Sequence, residues 1–396
     1  MKLTLFSSAI FLFCASSVQA EVLHHDGNSP ESKLIGALQQ FTRQEKIDPA
    51  INDLEQLVET TPKFRLAQLV YADMLMAKAG PISSFGNSDK VTGKALEDLR
   101  AEIRMRWQHH NAPSTDNQLP KSIVRLSNEQ KHIVVVDLGK SRLYLFENNN
   151  GVPKRISDFY ISFGKKGYDK FVEGDKKTPL GVYKVTSFIS DKKLPDFYGS
   201  GALPIDYPNT WDRRLGKTGY GIWLHGTPWS TYSRPPRASD GCVALSNDDF
   251  SALNAFVDIK QTHVILTDAI QWIKRDTWLS RNKQFEQQIN NWQLDWESLD
   301  ADRYLAHYAN DFKSGNNDLR KWSEHKRRVN SRKKFIQVEL DKLNIFMYPG
   351  EENMFEARFT QHYKSSNFNK AGNKKKQYWK RSQSGRWQIV YEGPSS

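Results

Sequence analysis

The sequence predicts a multidomain protein with a helical N-terminal region, a mostly-β middle domain and a C-terminal α+β domain shaped as a cone. Three observations carry this. Apolar residues recur at helical spacing between residues 30 and 107, short β-type runs broken by turn residues fill residues 130–268, and aromatic-rich helical patterns give way to strands after Trp292. At 396 residues the chain has room for two or three domains with real cores. Its 38% hydrophobic and 12% aromatic content argues for globular structure rather than disorder. The formal charge of +12 implies attraction to anionic surroundings, and charge alone does not choose among nucleic acid, anionic lipid and an acidic polymer.

Taken in order, residues 1–20 read as a signal peptide. Lys2 supplies a positive start, Leu3 to Ala15 is mostly apolar but too short to span a bilayer, and Val18-Gln19-Ala20 offers small residues for cleavage. This predicts export to the periplasm and removes nucleic acid as a partner. Phe13 before Cys14 is too large for a lipoprotein cleavage site, so no lipid anchor is expected, and no later stretch reads as a membrane span. Cleavage leaves Cys242 as the sole cysteine, which excludes an internal disulfide and argues against a structural metal site. A free cysteine in an oxidising compartment points to function. His24-His25 and His109-His110 lie in polar stretches and read as solvated loop residues.

Residues 21–108 read as helical. Leu34, Ile35, Leu38 and Phe41 share one face, Ile51, Leu54, Leu57 and Val58 a second, and Leu66, Leu69, Val70 and Met74 a third. Thr61-Pro62 reads as a helix start and Gly80 as a C-cap. The spacing resembles one tetratricopeptide-type unit. A single unit does not bury its own faces, so it should pack on the middle domain or on a second copy; an ordinary helical bundle fits equally well. A further helix is expected over residues 91–107, with Leu96, Leu99, Ile103 and Trp107 on its apolar side. Residues 109–125, polar and holding Pro113 and Pro120, read as a linker.

The middle domain, residues 126–270, begins with the strand Ile133–Asp137, a turn at Gly139, and its partner Arg142–Phe146. Residues 156–163 and 181–189 continue the pattern, and the whole reads as a sandwich or barrel-like domain. Ile222 to Leu224 is a short apolar run ending at His225, and Val243 to Leu245 begins another just after Cys242. Two strand ends side by side would bring sulfur and imidazole together, and an imidazole is what a thiol needs to become a nucleophile. Gly241 permits a sharp turn that aims the amides of Gly241 and Cys242 at one point, as an oxyanion hole requires. Ser239, two residues before Gly241, offers its backbone or hydroxyl as a candidate to orient the imidazole. The irregular stretch 191–217 brings Arg213 and Arg214 as candidates for a substrate carboxylate, with surface charge the equal alternative. The loop 229–236 offers Trp229, Tyr232 and Arg234 for substrate contact. Residues 247–249 read as the cap of a helix over 250–257, and His263–Thr267 as the domain's last strand.

His225-Gly226-Thr227-Pro228, a polar Pro-rich loop, then Ser239-Asp240-Gly241-Cys242-Val243 resemble the catalytic signature of the L,D-transpeptidase (YkuD-type) family. Upstream, Thr178-Pro179-Leu180-Gly181-Val182-Tyr183 resembles that family's strand entry, and the likeness covers about residues 130 to 268. The family's usual Arg two residues after the cysteine is Ala244 here. That departure brings the chain closer to a branch that includes helical-shape-determining L,D-carboxypeptidases. The resemblance implies a mostly-β catalytic fold acting on peptidoglycan stem peptides without metal or organic cofactor. Cys242 would attack the meso-diaminopimelate carbonyl and D-alanine would leave, with His225 as base and then acid. Gly226, Thr227 and Asp240 would border the substrate. The acceptor stays open between water, favoured by Ala244, and an amine that gives a cross-link. An amidase that detaches a wall-linked protein and a non-catalytic wall-binding scaffold are the alternatives.

Residues 271–290 read as a connecting helix with Trp278, Phe285 and Ile289 at helical spacing. In residues 291–396, aromatic helical segments precede strand-like pieces at 335–338, 343–346, 354–363, 376–381 and 387–391. This order, with the ending Gln377-Tyr378-Trp379-Lys380 and Gly385-Arg386-Trp387-Gln388-Ile389, resembles a nuclear-transport-factor-two-like (Cuv-type) cone. Lys374-Lys375-Lys376 is a solvated face or a grip for an acidic polymer. A homo-oligomer or a wall-protein partner through the helical or C-terminal region is left open.

Overall fold

The computed structural model describes residues 29–395 apart from 45, 83–84 and 87–92. The expected signal peptide with Cys14, and the His24-His25 doublet, lie outside the described residues.

Four helices, α1 (Pro30–Gln44), α2 (Ile47–Thr60), α3 (Arg65–Ala79) and α4 (Lys94–His110), form the N-terminal unit. Leu34, Ala37, Leu54, Leu57, Leu66 and Val70 make its core. Thr61-Pro62 does not start a helix. Thr61 closes α2 through its amide to Leu57 O, and α3 begins only at Arg65 after the turn that Pro62 imposes. In α4 the buried side chains are Glu102 and Arg106, while Leu96, Leu99, Ile103 and Trp107 are only half-buried. The cause is a charge network that bolts the unit to the middle domain. Arg106 contacts Glu31 at 3.0 Å and Glu102 at 2.8 Å, and Arg142 of the middle domain contacts Glu31 at 2.9 Å. The Arg106 guanidinium also lies 3.9 Å over the Tyr160 ring. His109, expected in solvent, reaches Asp158 at 2.9 Å, and His110 lies 3.6 Å from Glu31. The helical unit thus packs on the middle domain.

The middle domain is built on a five-stranded sheet, ordered Val152–Tyr160, Arg142–Asn149, His132–Asp137, His263–Thr267, Gly181–Lys184. Both of its faces are covered, which is why the run Ile133 to Val136 is apolar throughout. Val134, Val136, Leu143, Leu145 and Leu266 face the core shared with a second, four-stranded sheet. Ile133, Val135, Tyr144, Phe146, Val182 and Ile265 face Phe346, Tyr348 and Tyr378 of the C-terminal domain. The second sheet, ordered Val243–Ala244, Trp223–His225, Gly201–Pro204, Ile189–Ser190, carries the candidate site. The helix after the site is Asn247–Asn254, and its cap is Ser246, whose hydroxyl accepts from the Asp249 amide at 3.1 Å.

Residues 118–125, expected within a linker, are two short strands. Gln118–Pro120 pairs with Trp272–Lys274, and Ile123–Arg125 pairs with Ile336–Met347 of the C-terminal sheet. Leu119 and Ile123 are buried, so apolar side chains in a Pro-containing stretch decided the outcome. The expected connecting helix runs on as Arg275–Glu297, and its Phe285, Ile289, Trp292 and Trp296 enter the C-terminal core. The pieces at 335–338 and 343–346 are one strand, Ile336–Met347, with a register shift between Asp341 and Asn344. It joins a seven-stranded sheet curved around that aromatic core.

Candidate active site

His225 ends the strand Trp223–His225, which pairs in parallel with Val243–Ala244 in the register Leu224 with Val243 and His225 with Ala244. One step back, Trp223 stands beside Cys242. Side chains alternate along a strand and match across a ladder, so Trp223, His225, Cys242 and Ala244 share one face. This places sulfur and imidazole diagonally across two adjoining strands. His225 is fully buried, and its Nδ1 lies 2.6 Å from Gly226 O. A carbonyl only accepts, so Nδ1 carries the proton and Nε2 the lone pair; Nε2 is buried with no partner among the described residues. The rings of Tyr198 and Phe197 flank the imidazole at 5.0 and 5.9 Å.

Cys242 is half-buried, and its thiol donates to Gly221 O at 3.3 Å. Burial pushes the thiol up to about 11, against the pull of the Trp223 amide, which donates to sulfur, and of the Arg234 charge. Burial pushes His225 down to about 4. At neutral pH the resting pair is therefore thiol and neutral imidazole.

The turn before the cysteine is held from two sides. Gly241 has φ +131°, and a Cβ there would stand 2.8 Å from Lys177 O, so only glycine fits. Thr178 Oγ1 donates to Gly241 O at 2.9 Å and accepts from the Gly164 amide at 3.0 Å. Ser239 Oγ donates to Cys242 O at 2.6 Å and accepts from the Gly241 amide at 3.1 Å. Ser239 thus braces the cysteine turn and does not orient His225; that part falls to Gly226 O. The Gly241 amide, expected in an oxyanion hole, is already taken by Ser239.

The remaining candidates separate. Gly226 sits in the imidazole's contact, and a Cβ on it would meet Asn247 Oδ1 at 2.2 Å. Thr227 is buried and turned inward, its hydroxyl donating to Thr231 O and Tyr232 O, both at 3.2 Å. Tyr232 faces the helical unit, its ring 4.5 Å from Phe64 and its amide donating to Lys63 O at 3.1 Å. Arg213 and Arg214 point elsewhere: Arg213 donates to Pro208 O, and Arg214 donates at 2.7 Å to both Val390 O and Asp311 O of the C-terminal domain. Asp240 is exposed at the rim and pairs with Lys165 at 3.0 Å. Arg234 is at the site, stacked 4.8 Å over Phe197.

Sequence reasoning missed Trp223, Tyr198, Phe197 and Asn247. Asn247 Oδ1 accepts from the Ser200 and Thr227 amides and its Nδ2 donates to Thr227 O, which pins the turn after His225. Its position at a helix start concealed that part. Phe197 and Tyr198 lie in the irregular stretch 191–217, but their contact with His225, like that of Trp223 with Cys242, is set by backbone geometry.

Residues 131–266 match the model of the L,D-transpeptidase catalytic domain (YkuD), and residues 284–393 match the Cds6 C-terminal NTF2-like domain. The chain contains a YkuD-type L,D-transpeptidase catalytic domain followed by an NTF2-like domain. Among solved structures it is similar to Bd1075 of Bdellovibrio bacteriovorus, with 27% identity and a TM-score of 0.62 over 70% of this chain and 99% of that one. It is also similar to the helical cell shape determining protein Pgp2 of Campylobacter jejuni: a point mutant of that protein shows 25% identity and a TM-score of 0.56 over 72% of this chain and 96% of that one. No curated protein sequence matches it. No described helix is long and apolar enough to cross a membrane.

Proposed function

We propose that this chain is an exported cysteine enzyme that acts on peptidoglycan stem peptides at the bond between meso-diaminopimelate and D-alanine, with water as the preferred acceptor. The observation that carries the reading is the shared strand face of Cys242 and His225, with Nδ1 fixed by Gly226 O so that Nε2 is free to take a proton. The Cys242 thiol gives its proton to His225 Nε2 as sulfur bonds to the carbonyl carbon. Of the Gly241 and Cys242 amides, Cys242 N–H is the one left to face the oxyanion. The C–N bond breaks, and the amine of D-alanine leaves with the proton from His225. Water, deprotonated by the same nitrogen, then cleaves the thioester and restores the thiol. Ala244 beneath the imidazole leaves no arginine at the position that cross-linking relatives fill, which favours hydrolysis. The likeness to a helical cell shape determining protein supports a part in cell shape.

The test is incubation of the mature protein with disaccharide tetrapeptide, with and without excess amine, read by mass spectrometry beside Cys242→Ala. Tripeptide should form in both conditions and vanish in the variant. An amine-exchanged product would make it a transpeptidase, and absence of any Cys242-dependent product would end the enzymatic reading.

A further inference from the structure

Among the described residues Arg234 is the cation coupled to both reacting side chains: its charge acts on the Cys242 thiol and on the His225 imidazole. Its guanidinium is stacked on Phe197, and Nη2 donates to Ala238 O at 2.5 Å. Nη1 is buried and has no partner among the described residues. The nearby carboxylate, Asp240, is 69% exposed and already pairs with Lys165. A buried guanidinium nitrogen without an acceptor is costly, and a carboxylate matches its fork with two parallel hydrogen bonds.

The loop that carries Arg234 is not loose. Tyr232 N–H donates to Lys63 O, the Tyr232 ring lies on Phe64, Ser233 Oγ donates to Glu102 at 2.7 Å, and Tyr160 Oη donates to Arg234 O at 3.0 Å. Three of these four holds come from the helical unit. The arginine is therefore delivered from outside the cysteine strand and fixed beside the nucleophile.

Resting on the function proposed above, we propose that Arg234 binds the free C-terminal carboxylate of the departing residue, and that the N-terminal helices hold it in place for this. A peptide cut one residue from its end carries that carboxylate within a few bonds of the attacked carbonyl. Arg234 then makes the enzyme specific for stem peptides ending in the leaving residue.

The experiment compares disaccharide tetrapeptide with the same peptide ending in a carboxamide, for wild type, Arg234→Gln and Arg234→Lys, with Cys242 alkylation by iodoacetamide and the melting temperature measured alongside. Wild type should prefer the carboxylate by about 10- to 100-fold in kcat/KM, chiefly through KM. Arg234→Gln should remove that preference by lowering carboxylate turnover far more than carboxamide turnover or alkylation, and Arg234→Lys should restore part of it. A parallel fall on both peptides, or a slowed alkylation that accounts for the whole loss, would assign Arg234 to the thiol or to the fold and overturn the inference. An unchanged preference in Arg234→Gln would overturn it too. A wild-type protein that cleaves neither peptide would overturn the proposed function itself and this inference with it.

Discussion

Among single residues, the reacting pair is kept uncharged by its surroundings. Burial dominates at both groups; the Trp223 amide and Arg234 favour the thiolate, while Asp240 opposes it. In the proposed mechanism, proton transfer to His225 therefore accompanies attack rather than preceding it. Two consequences can be measured. The thiolate ultraviolet absorbance of wild type minus Cys242→Ala should be absent at neutral pH and rise only toward about 11. The kcat/KM profile should fall on the acid side only near about 4, as Nε2 becomes protonated and loses its lone pair. A thiolate signal at neutral pH would mean a preformed ion pair instead. Cys242, His225 and Gly241 were legible because each belongs to a contiguous run whose chemistry depends on residue type. The placing of Ser239 was not. Ser239 is close in sequence to the cysteine turn and distant from His225, and which of the two its hydroxyl serves is decided by the path of the backbone. Thr178 was legible as part of a motif, but its double hydrogen bond across the site was not, since Gly164 and Gly241 come from distant segments.

Among the elements, α4 shows where periodicity misleads. Counting apolar residues assigns its inner face to Leu96, Leu99, Ile103 and Trp107, yet the buried positions are Glu102 and Arg106. They are buried because they pair with each other and with Glu31 and Ser233, and partners on two other segments leave no mark in a helical pattern. Burial alone would raise the Glu31 carboxyl, but Arg142 and Arg106 together hold it well below the usual carboxylate range. A depressed folded-state pKa gives stability that is complete above the unfolded carboxylate range and lost as pH falls through the folded value. Glu31→Gln should then cost about 3 kcal/mol in denaturant unfolding at neutral pH, because it removes the carboxylate that two buried guanidinium groups share. The deficit should shrink as the pH is lowered below the depressed pKa, where wild type loses the same charge. An equal deficit at all pH values would show that packing, not charge, joins the helices to the sheet. The strands of the middle domain were legible by contrast: Ile133 to Val136 and His263 to Thr267 are apolar runs between turn residues, and both lie in the centre of the five-stranded sheet.

In the molecule as a whole, the catalytic domain is threaded into its neighbour. Ile123–Arg125 precedes it and edges the C-terminal sheet, whose other strands all follow it. One face of the five-stranded sheet is closed by Phe346, Tyr348 and Tyr378, and a polar set at the same junction includes the Arg358–Glu356 pair and Asn209, which donates to Tyr348 Oη at 2.8 Å. The three regions were separable in sequence because their patterns differ. Their interlocking was not, because long-range pairing of a three-residue strand carries no local signal. The helical unit clamps the loop that bears Arg234, and the C-terminal domain backs the five-stranded sheet, whose other face packs on the sheet that bears the site.

Everything proposed for this molecule depends on Cys242 forming a covalent acyl-enzyme on this scaffold. The decisive experiment is to quench the mature protein in acid shortly after mixing with disaccharide tetrapeptide and to map adducts by peptide mass spectrometry. A thioester on the Cys242 peptide carrying the substrate less D-alanine is expected, absent in Cys242→Ala and lost on treatment with hydroxylamine. Release of D-alanine by Cys242→Ala at the wild-type rate, or an adduct confined to another residue, would refute a Cys242 acyl-enzyme.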